Sequence, residues 1–140
     1  MRNIFVDANI IVDWLNADST ENKLCTQCIQ MIVGLYKKPM ISSTSIAITF
    51  YLISKSYKQK GKVIEKLQKA FTFFNISTED EETTRKAIHS DFKDLEDAIQ
   101  YYSAIKSKAD AILTFNSFDF SNSKIPVMHP AEFMQLHTIR

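Results

Sequence analysis

Residues 3–15 read NIFVDANIIVDWL, and this stretch decides the expected fold. Residues 3–6 form a short apolar run that stops at Asp7, which is typical of a buried strand in a parallel sheet. After Asp7, apolar side chains recur at helical spacing at Ile10, Ile11, Trp14 and Leu15. The stretch therefore predicts a strand that passes directly into a helix, with Asp7 at the junction.

The same alternation continues to the end of the chain. Further strands are expected at residues 40–41, 73–76, 111–113 and 125–128, and helices from about residues 20 and 46, at 62–71, after a capping box at 78–81, at 94–107 and from Pro130. This order predicts an α/β fold with three layers: a mostly parallel, twisted sheet of four or five strands with helices on both faces. Residues 1–140 are expected to form one domain.

Composition excludes several classes of protein. The 140 residues are 45% hydrophobic and 24% charged, and no apolar run is long enough to cross a membrane. Because Asp7 and Asn9 interrupt the apolar start of the chain, it does not resemble a secretory signal, and we expect a cytoplasmic protein. Cys25 and Cys28 form a lone C-x-x-C in a helical pattern, which favours two buried apolar residues over a metal or redox site.

Charge gives a weaker indication. The net charge is +1, which does not indicate a strongly basic nucleic-acid binder. Five lysines nevertheless lie close together in the sequence: Lys58, Lys60, Lys62, Lys66 and Lys69. On a helix, Lys62, Lys66 and Lys69 share one face, which is either a solvated surface or a contact for nucleic acid.

Polar residues follow two of the predicted strands. In an open parallel sheet, ligands bind beyond the carboxyl ends of the strands. Asp7 follows the first strand, and Thr114, Asn116 and Asp119 follow the strand at residues 111–113. Each has a structural alternative: Asp7 suits the N-cap of a helix, and the loop after residue 113 has the composition of a turn.

Asp94 and Asp97 begin the helix before that strand. Three residues separate them, so both point to one side of the helix, whereas Glu96 falls on a different face. The side chains expected to pack on the sheet are Leu95, Ala98, Ile99 and Tyr102. Helix capping is again the alternative for the two aspartates.

The acidic residues together indicate a chemistry. Carboxylates brought to one place repel each other unless cations neutralise them, and oxygen ligands without Cys or His select Mg²⁺ or Mn²⁺. Such ions polarise a phosphodiester, generate a hydroxide-like nucleophile and stabilise the leaving oxygen. Phosphodiester hydrolysis is therefore the expected class of reaction.

Three segments resemble one known family. They read FVDANIIVDWL (residues 5–15), DFKDLEDAIQYYSAIKSKADAILTFNSFDF (91–120) and IPVMHPAEFM (125–134). Their order is an Asp, a long helical middle, D-x-x-D-A, T-x-N-x-x-D-F and a closing helix, and it is similar to that of PIN domains. The match spans nearly the whole chain. It most resembles the VapC-like branch, ribonuclease toxins of bacterial toxin–antitoxin pairs, in a subgroup with Asn in the T-x-N position.

The resemblance implies a catalytic site taken over by position: Asp7, Asp94, Asp97, Asn116 and Asp119. Of these, Asp7, Asp97 and Asp119 are the expected ligands of Mg²⁺ or Mn²⁺. Thr114 is expected to help by hydrogen bonding and, with Lys62, Lys66 and Lys69, to contact nucleic acid. The family further implies an RNA substrate cut to leave a 5′-phosphate, a homodimer, and an antitoxin protein that covers the site.

One departure from the family pattern lies in the third predicted helix. Members supply an acid there, or an Asn in this subgroup, but Ile48 takes the matching place, and no acid occurs between Glu21 and Glu65. The leading hypothesis is a PIN-type ribonuclease, and the alternative is a catalytically weak or silent PIN module that binds RNA or a protein. A phosphatase with Asp7 as nucleophile is disfavoured because Asn9 stands where a second acid is needed.

Overall fold

One parallel sheet organises the protein. The computed structural model describes residues 2–35, 38–57 and 59–138. In these ranges the strands are β1 (Asn3–Val6), β2 (Lys38–Ser42), β3 (Asn75–Ser77), β4 (Ala111–Leu113) and β5 (Val127–Met128). All neighbouring strands are parallel, in the order β3-β2-β1-β4-β5. The predicted α/β class and the predicted sheet of four or five strands are therefore confirmed.

Helices connect the strands. They are α1 (Ala8–Leu15), α2 (Asn22–Leu35), α3 (Ser43–Ser54), α4 (Lys60–Ala70), α5 (Glu81–Ile88), α6 (Leu95–Lys106) and α7 (Pro130–Thr138). Short 3-10 turns at Phe71–Phe73 and Ser117–Phe120 follow α4 and β4. None of the helices in the described ranges is both long and apolar enough to cross a membrane.

Helices cover both faces of the sheet. Ile4 and Val6 of β1 pack into one core cluster, together with side chains of α1, α2, α4 and α7. Phe5, which points the other way, packs into a second cluster with Tyr101 of α6. Because both faces are covered, β1 is a continuous apolar run rather than an alternating one. The layered arrangement expected from the sequence is the one observed.

The strand order reverses between β1 and β4. The chain proceeds from β1 outward to β2 and β3, and then returns through α5 and α6 to place β4 on the other side of β1. The Asp7 N–H donates to the Leu113 carbonyl over 2.9 Å, and the Thr114 N–H donates to the Met128 carbonyl over 3.0 Å. Asp7 and Thr114 are therefore held at the same edge of the sheet, at its topological switch point.

Two local expectations were wrong. The capping box of α5 is formed by Asp80 and Thr83, two residues later than the sequence indicated. Of the four α6 residues expected to pack on the sheet, Ala98 is buried and Ile99 and Tyr102 are half-buried. The other buried residues of α6 are Gln100, Tyr101, Ser103 and Ala104. Leu95 is 53% exposed because it is the first residue of the helix, at the rim of the sheet.

The two cysteines are part of the core. Cys25 and Cys28 are buried and unbridged, and they pack among the apolar side chains of α1 and α2. The Cys28 thiol lies 3.4 Å from the Pro130 carbonyl oxygen and donates to it. The interpretation of the C-x-x-C as two small buried residues is confirmed.

Candidate metal centre

Asp7 is a buried carboxylate at the carboxyl end of β1. Asp7 is 3% exposed, and its Oδ2 accepts a hydrogen bond from the Thr114 hydroxyl over 2.7 Å. Burial raises the pKa of Asp7, and the Thr114 hydroxyl is the strongest of the groups that oppose this rise. Asp7 holds the N-cap position of α1, but its side chain makes no capping hydrogen bond of normal geometry. The Ala8 and Asn9 N–H groups lie near the carboxylate and lower its pKa. Helix capping is therefore an incomplete account of Asp7.

A chain of neutral polar groups connects Asp7 to α3. The buried Gln100 amide is one of the groups that lower the pKa of Asp7. Its Oε1 accepts from the Ser45 hydroxyl over 2.9 Å, and the Ser45 and Ser42 hydroxyls lie 2.9 Å apart. The contribution of α3 to this region therefore comes from Ser45, while Ile48 lies half-buried on the same helix and offers no oxygen.

Asp97 lies in a strongly acidic environment. It is half-buried in the first turn of α6, and its pKa is raised to about 7. Loss of solvent is the largest cause of this rise, and the charges of Asp7, Asp94, Asp119 and Glu96 follow in that order. A carboxyl group with this pKa is largely protonated below neutral pH and becomes ionised as the pH rises above it.

A cleft runs beside Asp97. Asp91, Asp94, Asp97 and Asp119 line it, together with Phe92, Lys93, Phe118, Ser121 and Asn122. Asp94 also caps α6, since its Oδ1 accepts from the Asp97 N–H over 2.9 Å. Asn116 is exposed, begins the turn after β4 and is not among the residues that line the cleft. The structure thus gathers three of the five expected site residues in this cleft and places Asp7 close enough to act on Asp97.

The composition of this region fits a divalent cation. None of the ion pairs within residues 2–35, 38–57 and 59–138 involves Asp7, Asp97 or Asp119. The nearby groups are carboxylate, hydroxyl and amide oxygens, which suit Mg²⁺ or Mn²⁺. As placed in the described part of the chain, no three Asp, Glu, His or Cys side chains surround one point closely enough to hold an ion. The fit is therefore one of charge and ligand type, without a formed coordination sphere.

Glu96 is an acidic neighbour that the sequence pattern placed apart. Its pKa is raised, mainly by loss of solvent and then by the charges of Asp94 and Asp7. Glu96 is therefore close enough to Asp94 and Asp7 for their charges to raise its pKa, although it was expected on another face of the helix from Asp97. The helical pattern alone did not indicate this proximity.

The expected contacts with nucleic acid lie elsewhere. Thr114 is fully buried and its hydroxyl donates to Asp7, so it is placed against the carboxylate rather than on a surface that RNA can reach. Lys66 and Lys69 line a separate hollow beside Trp14 and Asn22. Lys62 is exposed on α4, and Lys58 lies outside the described residues. Lys62, Lys66 and Lys69 are not among the residues that line the acidic cleft.

Fold and cleft together define a small parallel α/β protein with carboxylates gathered at the switch point of its sheet. Residues 3–117 match the PIN domain family, and the chain therefore belongs to that family. The recognition of a PIN domain from the sequence is confirmed.

Individual relatives agree with this assignment. The chain is 29% identical over 137 residues to Ribonuclease VapC1 of Aquifex aeolicus (strain VF5), with 94% of this chain and 93% of that protein covered. The crystal structure of VapBC2 from Rickettsia felis bound to a promoter DNA fragment contains a chain with a TM-score of 0.70 and 18% identity, covering 91% of this chain and 98% of that one. A toxin–antitoxin complex from Klebsiella pneumoniae contains another, with a TM-score of 0.68 and 21% identity, covering 91% and 97%.

Proposed function

We propose that the protein is a metal-dependent endoribonuclease of the VapC type, with Mg²⁺ or Mn²⁺ held by Asp7, Asp97 and Asp119. The observation that carries the proposal is that Asp97, at the start of α6, and Asp119, in the turn after β4, line one cleft, with Asp7 near enough for its charge to raise the pKa of Asp97. Similarity to Ribonuclease VapC1 across nearly the full length of both chains supports it.

The residues around the proposed metal site have different proposed roles. A bound divalent ion would polarise the phosphoryl oxygen and lower the pKa of an attacking water. Thr114 and the Gln100 amide fix the orientation of the Asp7 carboxylate. Asp94 holds the first turn of α6 and thereby the position of Asp97. Asn116 completes the proposed rim, and its place in T-x-N-x-x-D-F supports the proposal that the chain belongs to the subgroup with Asn.

The proposal extends to partners. The similar structure from Klebsiella pneumoniae is a toxin–antitoxin complex, so we propose an antitoxin protein that covers the cleft. RNA is the proposed substrate, cleaved to leave a 5′-phosphate. A homodimer and a cytoplasmic location complete the assignment, as does a single domain over residues 1–140.

The alternative is a silent PIN module that binds RNA or a protein through the same surface. Ile48 favours it, because α3 supplies a half-buried isoleucine where the family pattern has an oxygen ligand. Loss of one ligand reduces both the charge and the geometry that hold a metal ion.

The test is RNA cleavage by the purified protein in Mn²⁺, in Mg²⁺ and in EDTA. The proposal expects cleavage that needs the metal and falls at least about 100-fold in Asp97→Asn, which removes one proposed metal ligand. Asp18→Asn is the matched control, since Asp18 is an exposed aspartate on the loop between α1 and α2. Cleavage that persists in EDTA or in Asp97→Asn contradicts the proposal. No cleavage, with RNA binding unchanged in Asp7→Ala, favours the silent module.

A further inference from the structure

Phe118 is exposed on the wall of the acidic cleft. It is 82% exposed, more than any other large apolar side chain in the described ranges. It lines the cleft together with Asp97 and Asp119. A phenyl ring left in water is not stabilised by burial, so its contribution to the fold is small.

The turn around Phe118 is anchored without it. Phe120, two residues later, is 1% exposed and packs into the second core cluster. The Asp119 N–H donates to the Asn116 carbonyl over 3.0 Å, and the Ser121 N–H donates to the Phe118 carbonyl over 3.2 Å. Phe120 and these bonds fix the backbone at Phe118, so the turn keeps its shape without the Phe118 ring.

We propose that Phe118 is a stacking platform for an unpaired base of single-stranded RNA, whose phosphodiester lies beside Asp97. This inference rests on the RNA substrate of the proposed function. Carboxylates of the cleft that no cation neutralises repel phosphate, so contacts with the bases add affinity for a nucleic acid that its phosphates do not supply. An exposed aromatic ring binds the face of any base, and it requires no positive charge.

The neighbours of the ring suit a nucleotide. Ser121 and Asn122 line the same cleft and carry groups that hydrogen-bond to base edges. Lys93, also in the cleft lining, offers a positive charge for a flanking phosphate.

An apolar protein surface is the less suitable occupant of this ring. Protein interfaces place a contiguous apolar core against the partner. Around Phe118, the residues that line the cleft are mostly charged or polar, and Phe92 is half-buried. A single exposed ring among carboxylates matches a stacked base better than it matches an apolar docking patch.

The experiment measures the Kd of a short fluorescent RNA by anisotropy. The Asp97→Asn background prevents cleavage and reduces repulsion of phosphate. We expect Phe118→Ala to weaken binding of the single strand roughly 5- to 150-fold. Phe118→Trp should bind at least as tightly as the parent, and Phe118→Leu, which is apolar without an aromatic face, should resemble Phe118→Ala. A duplex of the same sequence should be insensitive to all three changes.

Phe73→Ala is the matched control. Phe73 is 56% exposed and lies in the 3-10 turn after α4, so its removal should leave the Kd unchanged. An unchanged Kd in Phe118→Ala overturns the inference, and so does a Phe118→Leu variant that binds like the parent. Metal-dependent cleavage by the otherwise unaltered chain is measured separately. If the protein cleaves RNA but Phe118→Ala leaves the Kd unchanged, the proposed function stands and the stacking role of Phe118 is wrong. Binding that depends on Phe118, without cleavage, supports the platform and contradicts the nuclease.

Discussion

Replacing Asp97 by Asn should stabilise the protein in the absence of metal. The carboxylate is half-buried and surrounded by the charges of Asp7, Asp94, Asp119 and Glu96. Asn has nearly the same shape, keeps the backbone N–H that donates to Asp94 and carries no charge. The substitution therefore removes the repulsion between Asp97 and its acidic neighbours and the cost of burying its charge. It keeps the hydrogen bond from the backbone N–H of residue 97 to Asp94 at the N-terminus of α6.

The size of the effect follows from the pKa of Asp97. It rises from 3.8 to about 7 in the folded protein. A shift of that size corresponds to at most about 4 kcal/mol. Because the side chain is partly exposed, solvent screening reduces this to about 1–2 kcal/mol. For a chain of this length, the melting temperature should rise by about 3–7 °C.

The gain in stability from Asp97→Asn depends on pH. Between about pH 4 and pH 7, the folded protein holds on Asp97 a proton that the unfolded chain has already lost, so stability decreases as the pH rises. The gain from Asp97→Asn should therefore be complete above pH 7 and fade towards pH 4. The assay is thermal unfolding in EDTA across this range, with Asp18→Asn as control. A gain that is independent of pH, or a loss of stability at pH 8, would refute the reasoning.

Three further predictions concern groups around the site and in the core. Glu79→Ala should lower the free energy of unfolding by about 1–2 kcal/mol in urea titrations. The Glu79 carboxylate accepts from the Thr44 N–H over 2.8 Å and from the Thr44 hydroxyl over 2.7 Å, so Glu79→Gln should lose less stability. Thr114→Val should lose about 1–3 kcal/mol by the same measurement, since Asp7 Oδ2 loses its donor, and Thr114→Ser should restore most of it. Cys25 and Cys28 should react with a thiol reagent at pH 8 only after unfolding in urea, because burial raises the pKa of each thiol to about 12; rapid labelling of the native protein would contradict this.

The fold was predictable because its signals are local. The apolar run of β1, the helical spacing after it and the short strand β4 can each be recognised within a few residues. The rule that parallel strands present their carboxyl ends at one edge then placed Asp7 and Thr114 together. The metal-binding and catalytic roles of the acidic residues stay predictions.

The polar part of the site was less predictable. Gln100 and Ser45 are buried and bonded to each other, yet a polar residue in a helical pattern is normally assigned to the surface. Leu95 was expected to pack on the sheet because of its helical spacing with Ala98, Ile99 and Tyr102, yet it is exposed, as apolar residues at protein surfaces often are. Pairing between distant polar residues leaves no periodic signal in a single sequence.

The hydrogen bond between Thr114 and Asp7 joins residues 107 positions apart. During synthesis, Asp7 is made early, but the strand that carries its partner follows only after α6. A growing or prematurely terminated polypeptide that ends before Thr114 therefore lacks the contact that fixes the carboxylate. Contacts of such long range also form late in folding, since closing the intervening loop costs entropy. The contact between Thr114 and Asp7 therefore forms only after every residue between them has been synthesised.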